Sequence, residues 1–341
     1  MPWPEGTIWI TWHEHRRTRS LVDALGGMPT FVFDDHRPLQ RNLIGPLWTL
    51  KVLWRERPRL VFMHFSYLLM LVCLIYRFLP ARPRPKIVCD CHNKALKKEF
   101  SGPLSRPFGA FKRFLLAGAD LLVVTNERLV PYAERHSAGV SVLRDPLTDW
   151  RGEDAKCRAE PARDGERPYA FFVCSFDSDE PVALIFEAAR EIVAILDLDV
   201  VISGNTERAA VPAAVREDPR IRLPGYMPFA EYRRVLSRAE AVVVLTDDDD
   251  CLVCGAYEAV GAARGTVLSD TRTLRACFAD CAEYTGHRAE DLREAVARAR
   301  AATRDEAGLA RGRAGFEAAF ARELSAFVAR VRGLTAAGAG R

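Results

Sequence analysis

The residues best suited to binding a charged ligand lie in the segment TDDDDCLVCGAYEA at positions 246–259, where a glycine follows a run of acidic residues. The run follows Ala241–Leu245, a continuous apolar stretch typical of a buried strand. Gly255 would let backbone N–H groups at a helix start approach a pyrophosphate closely. Glu258 is separated from Asp250 by seven residues and lies in the first turn of the predicted helix. Its carboxylate could accept hydrogen bonds from two adjacent ribose hydroxyls.

A histidine follows another predicted strand, Ile87–Cys91. At that strand end, His92 could donate a hydrogen bond to a donor-sugar hydroxyl or to a β-phosphate oxygen. The alternative interpretation is a structural histidine beside Asp90. A basic segment after the first strand, with His13, Arg16 and Arg17, could hold the phosphates of a carrier-linked acceptor, and a solvated helix start is the alternative.

Two metal hypotheses compete with these interpretations. The acids Asp247 to Asp250 contain D-x-D, which single-domain transferases use to chelate Mg²⁺ or Mn²⁺ with a diphosphate. A second set of candidate ligands could bind zinc, although its spacing is loose: Cys251, Cys254, Cys277 and Cys281. Because the acids end the fourth strand of a second α/β unit and packed thiols explain the cysteines, we expect no bound metal.

The elements that must position these residues alternate between strands and helices. The first half has predicted strands at 7–11, 30–33, 61–64, 87–91 and 121–125, with predicted helices at 17–25, 47–56, 67–79, 108–117 and 127–135. The second half has predicted strands at 169–174, 200–203, 221–223, 241–245 and 266–269, with predicted helices at 181–196, 212–217, 230–239, 256–264, 274–279, 290–303 and 316–331. Continuous apolar strands separated by helices predict parallel sheets covered on both faces.

The polar segment 151–168 interrupts this alternation and predicts a domain boundary. We therefore expect an α/β protein of two Rossmann-like, doubly wound domains facing a cleft. The predicted N-terminal domain spans 1–150, 151–168 is a linker, the C-terminal domain spans 169–333, and 334–341 is a tail. Ligands of such sheets bind beyond the carboxyl ends of the strands, where the candidate residues lie.

Composition restricts the class of protein. The 341 residues include 49 Lys and Arg against 45 Asp and Glu, which gives a net charge of +4. The basic residues lack an interleaved aromatic stripe, so we expect no nucleic-acid partner. Nine cysteines, an odd number scattered along the chain, argue against a disulfide framework and favour a reducing compartment. The amino terminus resembles no signal peptide, so we expect a cytoplasmic protein.

One apolar segment, Leu60–Leu79, is long enough to raise the question of a membrane span. We predict a buried strand, a turn and a helix too short to cross a bilayer. Aromatic and basic residues flank the segment, so region 46–84 could contact the inner face of the plasma membrane. A solvated basic face is the alternative.

The acidic segment resembles the donor-binding motif E-x7-E of the GT-B-fold glycosyltransferases, here as D-x7-E. The passage LPGYMP at 223–228, followed by a predicted helix and strand, is similar to the passage that precedes this motif in the family. The resemblance implies that Glu258 binds the nucleotide ribose, that Asp250 approaches the donor sugar, and that the backbone after Gly225 reads the base. The Arg and Lys pair that grips the donor diphosphate in many relatives has no clear counterpart, and Arg144 or Arg208 is a candidate substitute.

A more specific resemblance is to the branch of chitobiosyldiphosphodolichol beta-mannosyltransferase and its bacterial exopolysaccharide relatives. Four passages carry it: VCDCHN at 88–93, VLRDP at 142–146, SFDSDEP at 175–181 and SGN at 203–205. We assign catalysis to His92, Asp250 and Glu258. The expected nucleotide-binding residues are Ser175, Gly204, Asn205, Gly225, Tyr226, Met227, Cys254, Gly255 and Glu258. The expected acceptor or phosphate residues are His13, Arg16, Arg17, Asn93 and Arg144.

The sequence therefore predicts a metal-independent hexosyltransferase without a resident cofactor. Its donor would be a UDP- or GDP-linked sugar, and its acceptor a saccharide or a polyprenyl-diphosphate-linked saccharide. Two other hypotheses stay open: a non-catalytic sugar-nucleotide-binding or membrane-docking partner subunit, and a metal-dependent D-x-D transferase.

Overall fold

The structure, a computed structural model, describes residues 3–13, 16–34, 37–80, 84–97, 101–102, 104–137, 139–150, 152, 156–157 and 167–336. Most of the predicted linker, 151–168, and the last five residues of the predicted tail lie outside these ranges. The chain divides into two compact units. Unit 1 comprises Met1–Pro146 and Phe320–Arg341, and unit 2 comprises Leu147–Ala319.

Unit 1 contains a six-stranded parallel sheet in the order β2-β1-β3-β4-β5-β6. Its strands are β1 (Thr7–Thr11), β2 (Thr30–Val32), β3 (Leu60–His64), β4 (Lys86–Cys91), β5 (Leu121–Val124) and β6 (Val140–Val142). Its helices are α1 (Arg16–Ala24), α2 (Pro38–Glu56), α3 (Tyr67–Phe78), α4 (Asn93–Lys97), α5 (Ser105–Ala117) and α6 (Val130–Glu134), the last preceded by a 3₁₀ turn at Glu127–Leu129.

Both faces of this sheet are covered, which explains why its strands are apolar throughout. Side chains that alternate along the strands, such as Ile10 and Met63, pack with α2, α3 and α5. The intervening side chains, such as Trp9 and Phe62, pack on the other face with α1. Right-handed crossovers place α1 on one face and the later helices on the other. The reason is that the connection from β1 to β2 runs across the sheet in the opposite direction from the later connections.

Unit 2 contains a second six-stranded parallel sheet, in the order β12-β11-β10-β7-β8-β9. Its strands are β7 (Tyr169–Phe172), β8 (Asp199–Ser203), β9 (Ile221–Gly225), β10 (Ala241–Val244), β11 (Thr266–Ser269) and β12 (Glu283–Thr285). Its helices are α7 (Val182–Ile195), α8 (Ala213–Arg216), α9 (Phe229–Arg238), α10 (Cys254–Gly261), α11 (Arg272–Phe278) and α12 (Ala289–Thr303), with 3₁₀ turns at Thr206–Arg208 and Ala279–Cys281.

Each sheet has one place where the order of strands along the chain reverses. In unit 1 this switch point lies between β1 and β3, and in unit 2 it lies between β7 and β10. Loops on the two sides of a switch point diverge and leave a crevice at the carboxyl edge of the sheet. A ligand-binding site is therefore expected at the loops after β1, β3, β7 and β10.

The last helix, α13 (Glu306–Ala336), belongs to both units. Phe316 stacks on Phe278 in unit 2, at 5.6 Å between ring centroids. Further along the helix, Phe327 and Val331 are buried against the α1 side of the first sheet. The predicted domain limit at 333 and the predicted tail from 334 did not include the packing of α13 on unit 1. Helical periodicity identifies an apolar face but not the surface against which that face packs.

Most predicted elements are present, with shifted ends, and the differences have local causes. Helix α2 begins nine residues before the predicted helix, because Gly45 packs against the Trp12 ring and Pro46 is accommodated inside the helix. The three-residue strands β6 and β12 and the five-residue α4 were not predicted, since such short segments show no period. Leu60–Leu79 forms β3 and α3 as predicted, and none of the described helices could cross a membrane.

Replacing Phe327 with Ala tests the packing of α13. We expect a loss of about 3–5 kcal/mol in the free energy of unfolding of unit 1, because the buried ring contacts the core around Phe62. Denaturant unfolding measures this loss. Phe229→Ala, at an exposed position of unit 2, is the control and should change stability by less than about 1 kcal/mol. Equal effects of the two substitutions would contradict the packing described here.

Candidate functional site

The loop after β7 is organised around one carboxylate. Glu180 accepts hydrogen bonds from the backbone N–H of Ser175 at 3.0 Å, from the Ser175 hydroxyl at 2.9 Å and from the backbone N–H of Phe176 at 2.7 Å. The Cys174 thiol also donates to Glu180, and burial followed by this carboxylate raises the pKa of Cys174. Glu180 therefore fixes the loop and leaves Ser175 exposed at its surface.

Two glycines join the neighbouring strand ends. Gly204 has φ +107°, and a Cβ added there would lie 2.3 Å from the carbonyl oxygen of Cys174. Its N–H donates to the carbonyl of Gly225 at 3.1 Å. Gly225 itself has φ +76° and precedes Tyr226, whose side chain is 91% exposed. The predicted nucleotide residues Gly204 and Gly225 thus meet beside the β7 loop.

The predicted neighbours of these glycines have different environments. Asn205 caps the 3₁₀ turn, because its side chain accepts a hydrogen bond from the N–H of Glu207 at 3.0 Å. Met227 is buried. Arg208 lies close to the β7 loop, 3.5 Å from Asp177, with both side chains about half exposed.

The acidic loop after β10 is tied to its surroundings by its backbone. The N–H of Thr246 donates to the Ser269 hydroxyl at 2.9 Å. The N–H of Asp247 donates to the carbonyl of Asp179 in the β7 loop at 2.6 Å. The two loops that flank the switch point of the second sheet are therefore directly hydrogen-bonded.

Asp250 is fixed at the end of this loop. Its N–H donates to the side chain of Asp248 at 3.0 Å, and the carbonyl of Asp249 accepts from the Thr273 hydroxyl at 2.6 Å. Asp250 is buried. The loop hence presents a defined backbone and not a flexible acidic run.

Glu258 is 8% exposed and accepts a hydrogen bond from the Tyr232 hydroxyl. Tyr232 lies on α9 and packs edge-on against Phe171 of β7, at 5.6 Å between ring centroids. A carboxylate has two oxygens and about four acceptor positions, so one bond from Tyr232 does not exhaust it. Glu258 lies in the second turn of α10 and not the first, since the helix begins at Cys254, two residues before the predicted start.

The start of α10 lies close to the switch-point strands. A Cβ added at Gly255 would lie 2.9 Å from Val173 and 3.1 Å from Val244, so only glycine fits there without movement. Cys254 is exposed. The helix thus begins beside the ends of β7 and β10, with its N–H groups at the edge where the loops diverge.

A cavity of about 730 Å³ lies next to this region, between α7 and the segment after β8. It is within the size range of ligand pockets. Its lining includes Phe176, Arg190 and Arg208, and neither Asp250 nor Glu258. The switch point, where these carboxylates and the start of α10 lie, is therefore distinct from this cavity.

The switch point of the first sheet contains a buried ion pair. Arg17 on α1 donates to both carboxylate oxygens of Asp90, at 2.9 to 3.0 Å, to Asp145 and to the carbonyl of Leu143 at 2.8 Å. Arg17 and Asp90 are almost fully buried. Burial alone would raise the pKa of Asp90, but Arg17, His64 and His92 hold it well below its usual range.

Two histidines face this pair. The Nδ1 atom of His64 lies 3.5 Å from Asp90, and the ring of His92 lies 4.5 Å from the ring of His64. His64 ends β3 just as His92 follows β4, so the strand-end criterion that selected His92 would also have selected His64. Sequence reasoning missed His64, Tyr232 and Glu180 as members of these sites.

His64, Asp90 and His92 are also the one set of described side chains whose ligand atoms converge as a metal site would require, within 4.8 Å of one another. Two imidazoles and a carboxylate suit Zn²⁺ or a similar ion. Arg17 already neutralises the carboxylate, which weakens its attraction for a cation. Among the described residues, neither the acids 247–250 nor the four cysteines of the zinc hypothesis form such a set.

The remaining predicted acceptor residues occupy varied positions in unit 1. His13 and Arg16 are exposed, and the ring of His13 contacts the Arg41 guanidinium at 2.6 Å. Asn93 begins α4. Arg144 donates to Glu323 of α13, and both residues belong to unit 1.

No protein-family model matches the sequence, and no curated protein matches it either. Solved structures do match its fold. A sucrose-phosphate synthase from Thermosynechococcus elongatus superposes with a TM-score of 0.71 at 14% identity, over 97% of this chain and 99% of that one. Both six-stranded sheets thus have counterparts in a protein of the same length.

The chain has the GT-B fold. Two further GT-B structures are similar to it. An alpha,alpha-trehalose-phosphate synthase (UDP-forming) from Burkholderia vietnamiensis has a TM-score of 0.65 at 12% identity, over 96% of this chain and 99% of that one. The Anabaena protein Alr3699/HepE, in complex with UDP and glucose, has a TM-score of 0.65 at 11% identity, over 94% and 99%. The predicted fold class is confirmed.

Substituting Arg17 tests the buried pair. Arg17→Met should lower the free energy of unfolding by about 3–5 kcal/mol, because it leaves the ionised Asp90 buried without its main partner. The double variant Arg17→Met, Asp90→Leu should recover part of this loss. Arg275→Met is the control, since its pair with Asp270 is exposed and is worth about 0–1 kcal/mol. Additive effects of the two substitutions at the pair would contradict this account.

The pair also predicts an acid sensitivity of unit 1. The pKa of Asp90 is depressed in the folded protein, whereas in the unfolded chain it is that of an ordinary Asp, about 3.9. Below that pH, the unfolded chain therefore binds more protons than the folded protein does. Stability from Asp90 is therefore present above that pH and is lost as the pH falls further. Denaturant midpoints measured from pH 6 to pH 3 should decline less in the Arg17→Met, Asp90→Leu variant than in the wild type. Parallel declines would contradict this assignment.

Gly204→Ala tests the junction of the strand ends. We expect a large loss of thermal stability in unit 2, because the added methyl would collide with the Cys174 carbonyl at a positive φ. Gly225→Ala is a matched control with a positive φ and open space around it, so it should cost only the conformational strain of about 1–2 kcal/mol. Similar melting temperatures for the two variants would show that the close approach at Gly204 is not present.

Proposed function

We propose that the protein is a glycosyltransferase that takes a sugar from a nucleoside-diphosphate donor bound to unit 2. One observation carries the proposal: a buried carboxylate, Glu258, lies just inside the start of α10, beside the switch point of the second sheet. A helix start suits a diphosphate, and a carboxylate one turn further suits two ribose hydroxyls. The GT-B fold supports this assignment.

The donor diphosphate is assigned to the N–H groups at the start of α10, with Ser175 and Cys254 beside it. Arg208 lies 3.5 Å from Asp177 of the β7 loop, and this long, half-exposed contact holds its guanidinium weakly. In this mechanism the leaving diphosphate is stabilised by backbone dipoles and by Arg208.

The base and the donor sugar are assigned to neighbouring segments. The backbone after Gly225, with Tyr226 and Met227, would contact the base, and Gly204 and Asn205 would border the same edge. Asp250 would approach the donor sugar. The hydrogen bonds that fix its loop support a role for Asp250 in positioning the donor sugar. Because Asp is one methylene shorter than Glu, Asp250 reaches less far than the Glu of the related motif.

The acceptor is assigned to unit 1, at the carboxyl ends of β1 and β4. His92 would hydrogen-bond the reacting sugar or phosphate, and His13, Arg16 and Asn93 would bind the acceptor. Arg17 holds Asp90, Asp145 and the Leu143 carbonyl, so we assign it to positioning this edge and not to phosphate binding. In the transfer, the bond between the anomeric carbon and the diphosphate oxygen breaks through an oxocarbenium-like state while the acceptor oxygen bonds to that carbon. The nucleoside diphosphate leaves, and the proton of the acceptor hydroxyl is released with it.

The finer identity of the substrates rests on resemblance. The sequence motifs favour the beta-mannosyltransferase branch and a polyprenyl-diphosphate-linked or saccharide acceptor. The solved relatives favour UDP, since one is described as UDP-forming and another holds UDP and glucose. A thermal-shift screen over UDP, GDP and their sugar conjugates would separate these hypotheses, because a bound ligand raises the melting temperature.

A transfer assay distinguishes catalysis from a purely binding role. Purified protein that hydrolyses or transfers a donor sugar is an enzyme. Protein that binds the nucleotide without turnover is a sugar-nucleotide-binding partner. The assay is repeated with EDTA, because loss of activity in the chelator would instead support the metal-dependent hypothesis.

Glu258→Ala tests the donor site. We expect nucleotide binding to weaken by about 1.5–3 kcal/mol, the scale of a hydrogen bond to a charged group, with the affinity measured by calorimetry. Tyr232→Phe, which keeps the carboxylate and removes its hydroxyl partner, should weaken binding less. The exposed Glu294→Ala is the control. Wild-type affinity in a folded Glu258→Ala protein would contradict the assignment.

A further inference from the structure

Unit 1 exposes large apolar side chains on three helices. Leu39 and Phe78 are 77% and 70% exposed. We call these residues the α2–α3–α5 face: Leu39, Leu43, Ile44, Leu47 and Trp54 from α2, Ile75 and Phe78 from α3, and Leu104, Phe108 and Phe114 at and within α5. Exposed apolar residues in such number are unusual for a surface that meets only water.

These residues lie on one layer of the unit. Helix α3 packs between α2 and α5, and the inner sides of all three helices contribute to the core on the same face of the first sheet. Leu39, Leu43 and Leu47 recur every four residues, as do Leu104 and Phe108, which places each set along one outer stripe of its helix. The apolar side chains therefore point away from the sheet as a group.

The second unit provides an internal comparison. Among its described residues, the exposed large apolar side chains are Ile195, Tyr226 and Phe229. Two of these three belong to the proposed base-binding passage and the helix after it. Apolar exposure is thus concentrated on one layer of unit 1.

The α2–α3–α5 face is predominantly basic. Glu56, at the end of α2, is the one acidic residue within the three helices. Exposed basic residues lie on α2 and α5 or directly after α2: Lys51, Arg55, Arg57, Arg106 and Arg113. A surface that combines apolar side chains with cations matches a bilayer with anionic headgroups.

We propose that the α2–α3–α5 face docks the protein on the surface of an anionic lipid bilayer. Leucine, isoleucine and aromatic side chains would enter the boundary of the acyl chains, while the basic residues would contact lipid phosphates. A second copy of this chain is a poorer occupant, because a symmetric contact would bring two basic surfaces together.

The structure refines the expectation from the sequence. Region 46–84 contains part of the face, but α5 and the first half of α2 lie outside it. The interior of α3, including Met70 and Cys73, is buried in the core and does not face the lipid. The proposal does not depend on the enzymatic one, although a lipid-linked acceptor would explain why a transferase docks there.

Flotation of the full-length protein with two kinds of vesicle tests the proposal. One kind is pure phosphatidylcholine and the other contains phosphatidylglycerol at about one third. We expect the protein to bind the anionic vesicles, because each basic residue near the membrane surface increases the affinity about five-fold. This binding should weaken as the salt concentration rises, because salt screens the attraction. Equal binding to both kinds of vesicle, or no binding to either, would overturn the proposal.

Two matched variants locate the surface. Leu43→Glu combined with Leu47→Glu should reduce the bound fraction at least about ten-fold, because it places two anions on the apolar stripe. Ile195→Glu makes a similar change at an exposed position of unit 2 and should leave vesicle binding unchanged. Melting temperatures and nucleotide affinity close to the wild type would show that the first variant is folded and that its donor site is intact.

Light scattering of the lipid-free protein tests whether a second copy of the chain, and not a lipid surface, covers this face. A monomer whose vesicle binding is lost in the Leu43→Glu, Leu47→Glu variant supports the lipid surface. A dimer that the same variant dissociates, without any vesicle binding by the wild type, would overturn the proposal in favour of a second copy. Failure of the donor-binding experiment alone would leave the vesicle result intact, so the two proposals fail separately.

Discussion

The reversal of strand order in each parallel sheet is the constraint on which the rest of the structure depends. Right-handed crossovers place helices on both faces, so the loops diverge where the order reverses. In unit 2 this occurs between β7 and β10, which brings Glu180, Asp250 and Glu258 to one edge. In unit 1 it occurs between β1 and β3, beside the Arg17 and Asp90 pair. Both clusters of polar residues thus follow from topology.

The two edges are built in different ways. Unit 2 fixes its loops through backbone hydrogen bonds, with the Glu180 carboxylate holding one loop and the Asp179 carbonyl joining it to the next. Unit 1 relies on a buried ion pair, which is costly to desolvate and strongly destabilising when one partner is lost. Two imidazoles lie against the same carboxylate, with His64 Nδ1 3.5 Å from Asp90, and together with Arg17 they hold the pKa of Asp90 well below its usual range. Rigid edges of this kind suit a site that must hold charged ligands in a fixed orientation.

Much of this could be predicted from the sequence, for identifiable reasons. Long apolar strands such as Ala241–Val244 and the periodic helices between them have clear sequence patterns, so the two α/β sheets were predicted correctly. Other features depend on distant residues. Tyr232 reaches Glu258 across 26 positions, Arg17 reaches Asp145 across 128, and the face of α13 packs on a unit that precedes it in the chain. Local periodicity carries no information about such pairings, which is why Arg17 was predicted to bind phosphate and the limit of unit 2 was placed at 333.

The central claim is that a nucleotide binds at the β7 and β10 edge of unit 2. A crystal structure of the protein with a UDP- or GDP-linked sugar tests it most directly. The account predicts density for the ribose within hydrogen-bond distance of the Glu258 carboxylate, with the diphosphate at the start of α10. Density for the nucleotide away from Glu258 and from the start of α10, such as inside the cavity between α7 and the segment after β8, would contradict it.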